Sequence, residues 1–531
     1  MKAVNVVPMH ITDMRAVVTL DAETSQAHVD ATMTYVVGPA DGNPFFDLRQ
    51  KVERCWIDGI AMDPAAIAGH DIGETGRHSS VRVIRPPQGA KSVHALRVTY
   101  RLGVPNSDLG GAYPPVLRWL SGPRVRWSIG MADLYAGRYL EAWFPSNLPF
   151  DHFPFTLELA ITGTAVPHAV VTNGYVATRG TNRWRIRFPP WFTSMSPLIE
   201  LHAADRVRTA AMTTRLPISK RPIMISAARF VDGAEDLAAS LPRIAALLSE
   251  QERRFGEFSG SSYVCFFHGA SGGMEYGNAT TTSESALRHE VIHSWFARGL
   301  TPASQADGWW DEGFTRYLET GGGAERLNFA APPVELCSRR PFQRTTSPRS
   351  YEAGSRVFRG IAALIGRDGL QAAMRDLYRT RHGTSISTPM LESHLIAWTG
   401  AVSLADVFHR FVYGFGDDAP SPRLDIEILA CGDRSIRVRV RNNGEGGCRH
   451  YVVIATQRGQ VIAVATGFDL APAQVRSLSL RWRRDHVPSE PGQLVVSVHA
   501  PPHGRIARVT GACPARSTTN RRTVRTACAL Q

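Results

Sequence analysis

Between residues 14 and about 205, short runs rich in Val, Thr, Tyr and Phe, among them residues 16–20, 31–37, 81–84, 95–102 and 155–161, are separated by turns of Gly, Pro and Asp. Such residues fit a pleated, half-buried surface, so this stretch predicts an all-β domain. The period changes after residue 233, where Leu237, Leu241, Ile244, Leu247 and Leu248 form the apolar stripe of a helix that ends by residue 258, followed by a strand at 263–268. A second helix is predicted over 283–300, with Leu287, Val291, Ile292, Trp295 and Phe296 on its buried side and Thr281 with Glu284 as a capping box. Phe314, Tyr317 and Leu318 mark another, and further helices are expected at 354–365, 370–380, 390–398 and 404–412. A turn-rich linker at 417–422 then gives way to alternating runs at 425–429, 435–440, 451–456, 461–465, 475–482 and 494–498, the pattern of a small sandwich. Residues 501–531 have no period and are expected to lack structure.

The fold class is therefore multidomain α+β, with boundaries at 1–210 (β), 211–335 (mixed helix and strand), 336–418 (helical), 419–502 (sandwich) and 503–531 (an Arg-rich tail). A chain of 531 residues with 43% hydrophobic content can bury several cores. Its net charge of +13 invites a nucleic-acid reading, but the lysines are only Lys2, Lys51, Lys91 and Lys220, and the arginines cluster only at 505–525. No nucleic-acid partner is expected. No apolar run is long enough to span a membrane and residues 1–12 hold no leader core, so the chain as written is expected in the cytoplasm, or outside it if the true start lies upstream. Seven cysteines form no C-x-x-C pair. Most are expected as buried thiols, while Cys431 with Cys448 and Cys513 with Cys528 are the pairs an oxidising compartment would allow.

The chemistry concentrates in His289-Glu290-Val291-Ile292-His293 and in Trp309-Trp310-Asp311-Glu312-Gly313. On a helix, His289 and His293 stack on one face, so both imidazoles reach one metal ion while Glu290 flanks it. Eighteen residues separate His293 from Glu312, enough for a loop and the start of a second helix carrying a third ligand. Two His, one Glu and an open fourth position define a catalytic zinc site, with Glu290 as general base for a water. On these residues alone the reaction stays open among zinc hydrolases.

Four further segments narrow it: Gly272-Gly273-Met274-Glu275, Tyr351-Glu352-Ala353-Gly354, Trp143-Phe144-Pro145 and Thr193-Ser194-Met195-Ser196. With the two metal segments they make residues 15–415 resemble the gluzincin metallopeptidases, in particular the membrane alanyl aminopeptidase and leukotriene hydrolase family. The resemblance implies a thermolysin-like catalytic domain with a helical extension and one catalytic zinc held by His289, His293 and Glu312. It implies peptide substrates whose free amine meets Glu275, a substrate-facing strand edge at Gly272 and Gly273, and a Tyr351 hydroxyl that stabilises the oxyanion. Glu319, two turns beyond Glu312, is expected to orient a ligand histidine. Glu141 is the candidate for a second amine-binding group. The pattern departs from the family in Tyr276 after Glu275 and in the short interval of residues 276–288. A glycyl-aminopeptidase-like enzyme, an endopeptidase with a more open cleft, and an inactive peptidase-fold scaffold are the alternatives.

Overall fold

The computed structural model describes residues 5–70, 81–103, 116–135, 138–147, 150–338, 343, 345–401, 403–415, 422–432, 434–457, 460–482, 493–499 and 507–512. The chain divides into two compact units, one of residues 1–319 with 340–348 and 381–385, the other of 320–339, 349–380 and 386–531.

The first unit begins with the β-rich stretch that the Val, Thr and aromatic runs predict. Its eight-stranded sheet is built on the hairpin Met9–Asp21 and Gln26–Val37, and Phe155–Thr162 pairs in parallel with the first of these strands. Inward residues Met14, Ala16, Val18 and Leu20 are buried and alternate with more exposed neighbours, the period-two signal of a one-sided sheet. A four-stranded sheet, ordered Val116–Leu120, Arg124–Ser128, Ile199–Ala203 and His168–Thr172, lies in the same core, where Trp127, Trp143, Phe144 and Phe155 meet edge to face.

The five-stranded sheet that carries the site has the order Val207–Arg215, Pro222–Phe230, Ser262–Phe267, Ala279–Thr282, Gly273–Tyr276, with its three central strands parallel and Gly273–Tyr276 at one edge. Helix α1, Leu237–Phe255, crosses between two of the parallel strands; Asp236 caps it by accepting from the Ala238 and Ala239 amides, and Leu237, Leu241, Ile244 and Leu248 are its buried stripe. Helix α2 is Leu287–Ile292 and α3 is Trp309–Glu319.

Helix α2 is much shorter than the periodicity predicts. Thr281 does not cap it; the residue lies inside the strand Ala279–Thr282, and Glu284 pairs instead with Arg243 of α1 at 2.9 Å. Past His293 the chain tightens into turns, with the Ser294 amide donating to the Val291 carbonyl and the Trp295 amide to that of Ile292, and Ala297 at φ +153 ends any helix.

In the second unit, helices α4 (Arg349–Ile365), α5 (Arg367–Arg381), α6 (Thr388–Thr399) and α7 (Leu404–Phe411) precede two sheets. One sheet has three strands, Leu424–Cys431, Ser435–Asn442 and Val475–Arg481; the other has four, Gln460–Leu470, Cys448–Gln457, Gln493–His499 and Ala507–Ala512. The last strand corrects the expectation of an unstructured tail from 503. Residues 507–512 pair along Gln493–His499, and this order comes from a ladder with a neighbouring strand that no local period announces. Residues 513–531, most of the linker at 417–422, and Cys513 and Cys528 lie outside the described residues. No disulfide joins Cys431 to Cys448. Among the described residues no helix is long and apolar enough to cross a membrane.

Candidate metal centre

Sheet, helix and turn converge on a buried cluster. His289 sits mid-helix in α2 and His293 at its C-cap, so their rings lie over one another, centroids 4.7 Å apart. Helix α3 brings Glu312 to them. It is anchored there by Trp309, Trp310 and Phe314, all buried, and Phe314 meets Phe296 and Phe255 edge-on at centroid separations of 4.7 and 6.0 Å. These aromatics join α1, the turn after α2 and α3 into one scaffold.

Three side-chain atoms face a common point. His289 Nε2 lies 3.1 Å from His293 Nε2 and 3.2 Å from Glu312 Oε2, and His293 Nε2 lies 3.4 Å from the same oxygen. Atoms bound at zinc distances to a tetrahedral centre stand about 3.3 Å apart, so the donor set and its spacing fit such an ion. The far nitrogens are fixed as the fit requires. His289 Nδ1 donates to Glu319 Oε2 at 3.2 Å, and Arg316 holds that carboxylate at 2.8 Å. His293 Nδ1 faces the Phe296 carbonyl at 3.1 Å and Asp311 Oδ1 at 2.7 Å. With acceptors on Nδ1, each imidazole turns the lone pair of Nε2 inward.

The electrostatics ask for positive charge at the same point. Burial alone would lower the His289 pKa, but hydrogen bonds to Glu312 and Glu319 outweigh it and lift the group to about 10. Burial would raise Glu312, yet the facing His293 and His289 hold it well below the ordinary carboxylate range. The hydrogen bond from His289 brings Glu319 down to about 2. A dication answers the same demand as the protons these shifts represent.

Glu290 is 4% exposed and its Oε2 has no hydrogen-bond partner; burial pushes its carboxyl up to about 8. It presses on the strand edge so closely that a Cβ at Gly273 would fall 2.6 Å from Oε1 and 2.7 Å from Cγ. Gly273 is thus glycine because of Glu290, whereas Gly272 meets nothing but adopts φ +83, a left-handed conformation. Glu275, on the same edge strand, is buried and its carboxylate lies within 4.8 Å of ligand atoms of His293 and Asp311.

Two further candidates lie on other elements. Tyr351 is half-buried in the first turn of α4, in the second unit. Glu141 is turned back on its own segment, accepting from the Tyr139 amide and facing the charge of Arg49, and burial lifts its carboxyl to about 7. Sequence reasoning passed over two groups that the fold brings in. Asp133 is buried, and its carboxyl is raised by burial and by the nearby charges of Glu312, Glu275 and Asp311. Arg298 donates to Glu275 Oε1 at 2.9 Å. Neither falls on a spacing that announces it.

The fold is the one seen in solved M1 zinc metallopeptidases. Among solved structures, an M1 zinc metallopeptidase from Deinococcus radiodurans superposes with a TM-score of 0.57 at 16% identity, over 76% of this chain and 94% of that one. A variant of that protein bound to a Tyr-Ser-Ala substrate gives a TM-score of 0.58 at 16% identity over 78% and 95% of the two chains. Native yeast leukotriene A4 hydrolase gives 0.55 at 16% identity over 78% and 69%. Aminopeptidase B of Mus musculus is a sequence relative, 27% identical over 259 residues, which is 44% of this chain and 35% of that protein. The chain thus matches about a third of the length of that curated relative. No family model matches the sequence.

Proposed function

We propose that the chain is a zinc-dependent aminopeptidase that hydrolyses N-terminal residues from peptides. The observation that carries the reading is the mutual 3.1–3.4 Å spacing of His289 Nε2, His293 Nε2 and Glu312 Oε2 beside an unpartnered, buried Glu290 carboxylate oxygen. The relationship to aminopeptidase B and the fold shared with M1 zinc metallopeptidases support it. His289, His293 and Glu312 hold the ion. When bound, zinc supplies a Lewis acid for the scissile carbonyl and lowers the pKa of a water.

The remaining work belongs to side chains of this chain. Glu290 takes the proton of the attacking water at its free Oε2 and returns it to the leaving amine. The edge strand Gly273–Tyr276 offers unpaired backbone groups along which an extended peptide lies, and Gly272 and Gly273 admit its close approach. Glu275 accepts from the substrate ammonium, which sets the first peptide bond at the metal. The Tyr351 hydroxyl donates to the developing oxyanion, and Glu319 keeps His289 aimed.

Zinc content and hydrolysis of a panel of aminoacyl amides test the reading. Glu290→Gln is expected to retain zinc and lose at least a thousandfold in kcat. A zinc-loaded wild type with no turnover on the panel, or with turnover that Glu290→Gln leaves intact, overturns it.

A further inference from the structure

The carboxylate proposed to receive the substrate ammonium already has a cationic partner. Arg298 is 3% exposed and Glu275 4%. The guanidinium donates to Glu275 Oε1 at 2.9 Å and to the Glu275 carbonyl at 3.3 Å, and reaches back to the Ala297 carbonyl at 3.1 Å. The Arg298 amide donates to the His293 carbonyl at 3.0 Å. One residue thus ties the edge strand to the turn that ends the metal helix. Among the described residues Arg298 is the side chain that pairs with Glu275.

A neutral pair attracts an ammonium less than a bare carboxylate does. Coulomb energy falls with separation, so a guanidinium at roughly twice the ammonium's distance cancels about half of the carboxylate's attraction. Burial removes the solvent that would otherwise damp both contributions. We propose that Arg298 is a specificity-determining residue. By neutralising Glu275 it leaves a hydrogen-bond acceptor where a bare charge would stand, so free and capped peptide N-termini are distinguished only modestly. This rests on the aminopeptidase reading and refines its substrate class to include N-blocked peptides.

The test compares kcat/KM for a leucyl peptide and its N-acetyl form in zinc-loaded protein. Wild type is expected to prefer the free amine by less than about a hundredfold. Arg298→Gln is expected to raise that ratio at least tenfold through a lower KM for the free-amine substrate, while Arg298→Lys stays near wild type. A purely structural role would depress both substrates alike and leave the ratio unchanged; that result overturns the proposal. So does a wild-type preference above about ten thousandfold, a reading that needs no variant to fold. Calorimetric binding of L-leucinamide against N-acetyl-L-leucinamide gives the same comparison without turnover. If wild type hydrolyses nothing, the aminopeptidase reading fails, and these binding ratios, expected to move in the same direction, still decide on Arg298.

Discussion

At the level of single residues the site separates what spacing can encode from what only a fold assembles. His289, Glu290 and His293 are legible because one helix turn relates them, and Glu312 because it follows at the distance a loop and a helix start need. Glu319 is legible for the same reason, seven residues and two turns beyond Glu312. Arg298 and Asp133 are not, since each reaches the cluster through tertiary packing and one arginine among many carries no period. The most exacting local fit is between Gly273 and Glu290. A methyl group there would meet three side-chain atoms at 2.6–2.7 Å, so either the edge strand or the base must move. A displacement of about 1 Å of a catalytic group costs on the order of a hundredfold in rate. Gly273→Ala is therefore expected to lower kcat by one to two orders of magnitude with zinc content unchanged, measured by steady-state hydrolysis and metal analysis. Full activity would mean that Glu290 is not held where a base must stand. Gly89→Ala is the control, its Cβ meeting nothing within 4 Å on backbone that any residue adopts.

Among the elements, α2 shows why the sequence overstates the helix. Leu287, Val291, Ile292, Trp295 and Phe296 are all buried as the helical period requires, yet only Leu287–Ile292 is helix, because turns continue the same inward direction for the last two. The capping box fails since the Thr281 backbone is committed to its sheet neighbours Met274 and Phe266. Six residues are far below the length at which a helix is stable alone, about 12–15. Helix α2 is held instead by its neighbours and, in the proposed enzyme, by an ion that ties it to α3. Stripping zinc with a chelator should accelerate amide hydrogen exchange across residues 287–293 and 309–319 by tenfold or more, and added zinc should restore protection. Exchange that ignores the metal would place the ion elsewhere.

On the scale of the molecule, the helical region and the sandwich behave as one body. Helix α6 lies against the strands Cys448–Gln457 and Gln460–Leu470, and its Glu392 is 1% exposed. That carboxylate accepts from the Tyr413 hydroxyl at 2.8 Å and faces His499 Nε2, on the strand Gln493–His499, at 2.9 Å. Tyr413 follows α7 and is buried, so a helical segment, the chain leaving it and the sandwich share one polar contact. Each partner's removal leaves a buried acceptor or donor unsatisfied, at about 1–3 kcal/mol apiece, and stripping the sandwich also exposes the side of α6 that covers it. A chain ending at residue 415 is consequently expected to lose the cooperative unfolding of α4 to α7, with a midpoint at least about 8 °C lower in calorimetry and rapid protease nicking within 349–399. His499→Ala should move the midpoint the same way by a smaller amount. If the truncated chain keeps its midpoint within about 2 °C, the helices fold without the sandwich and the buried Glu392 contact does not join them.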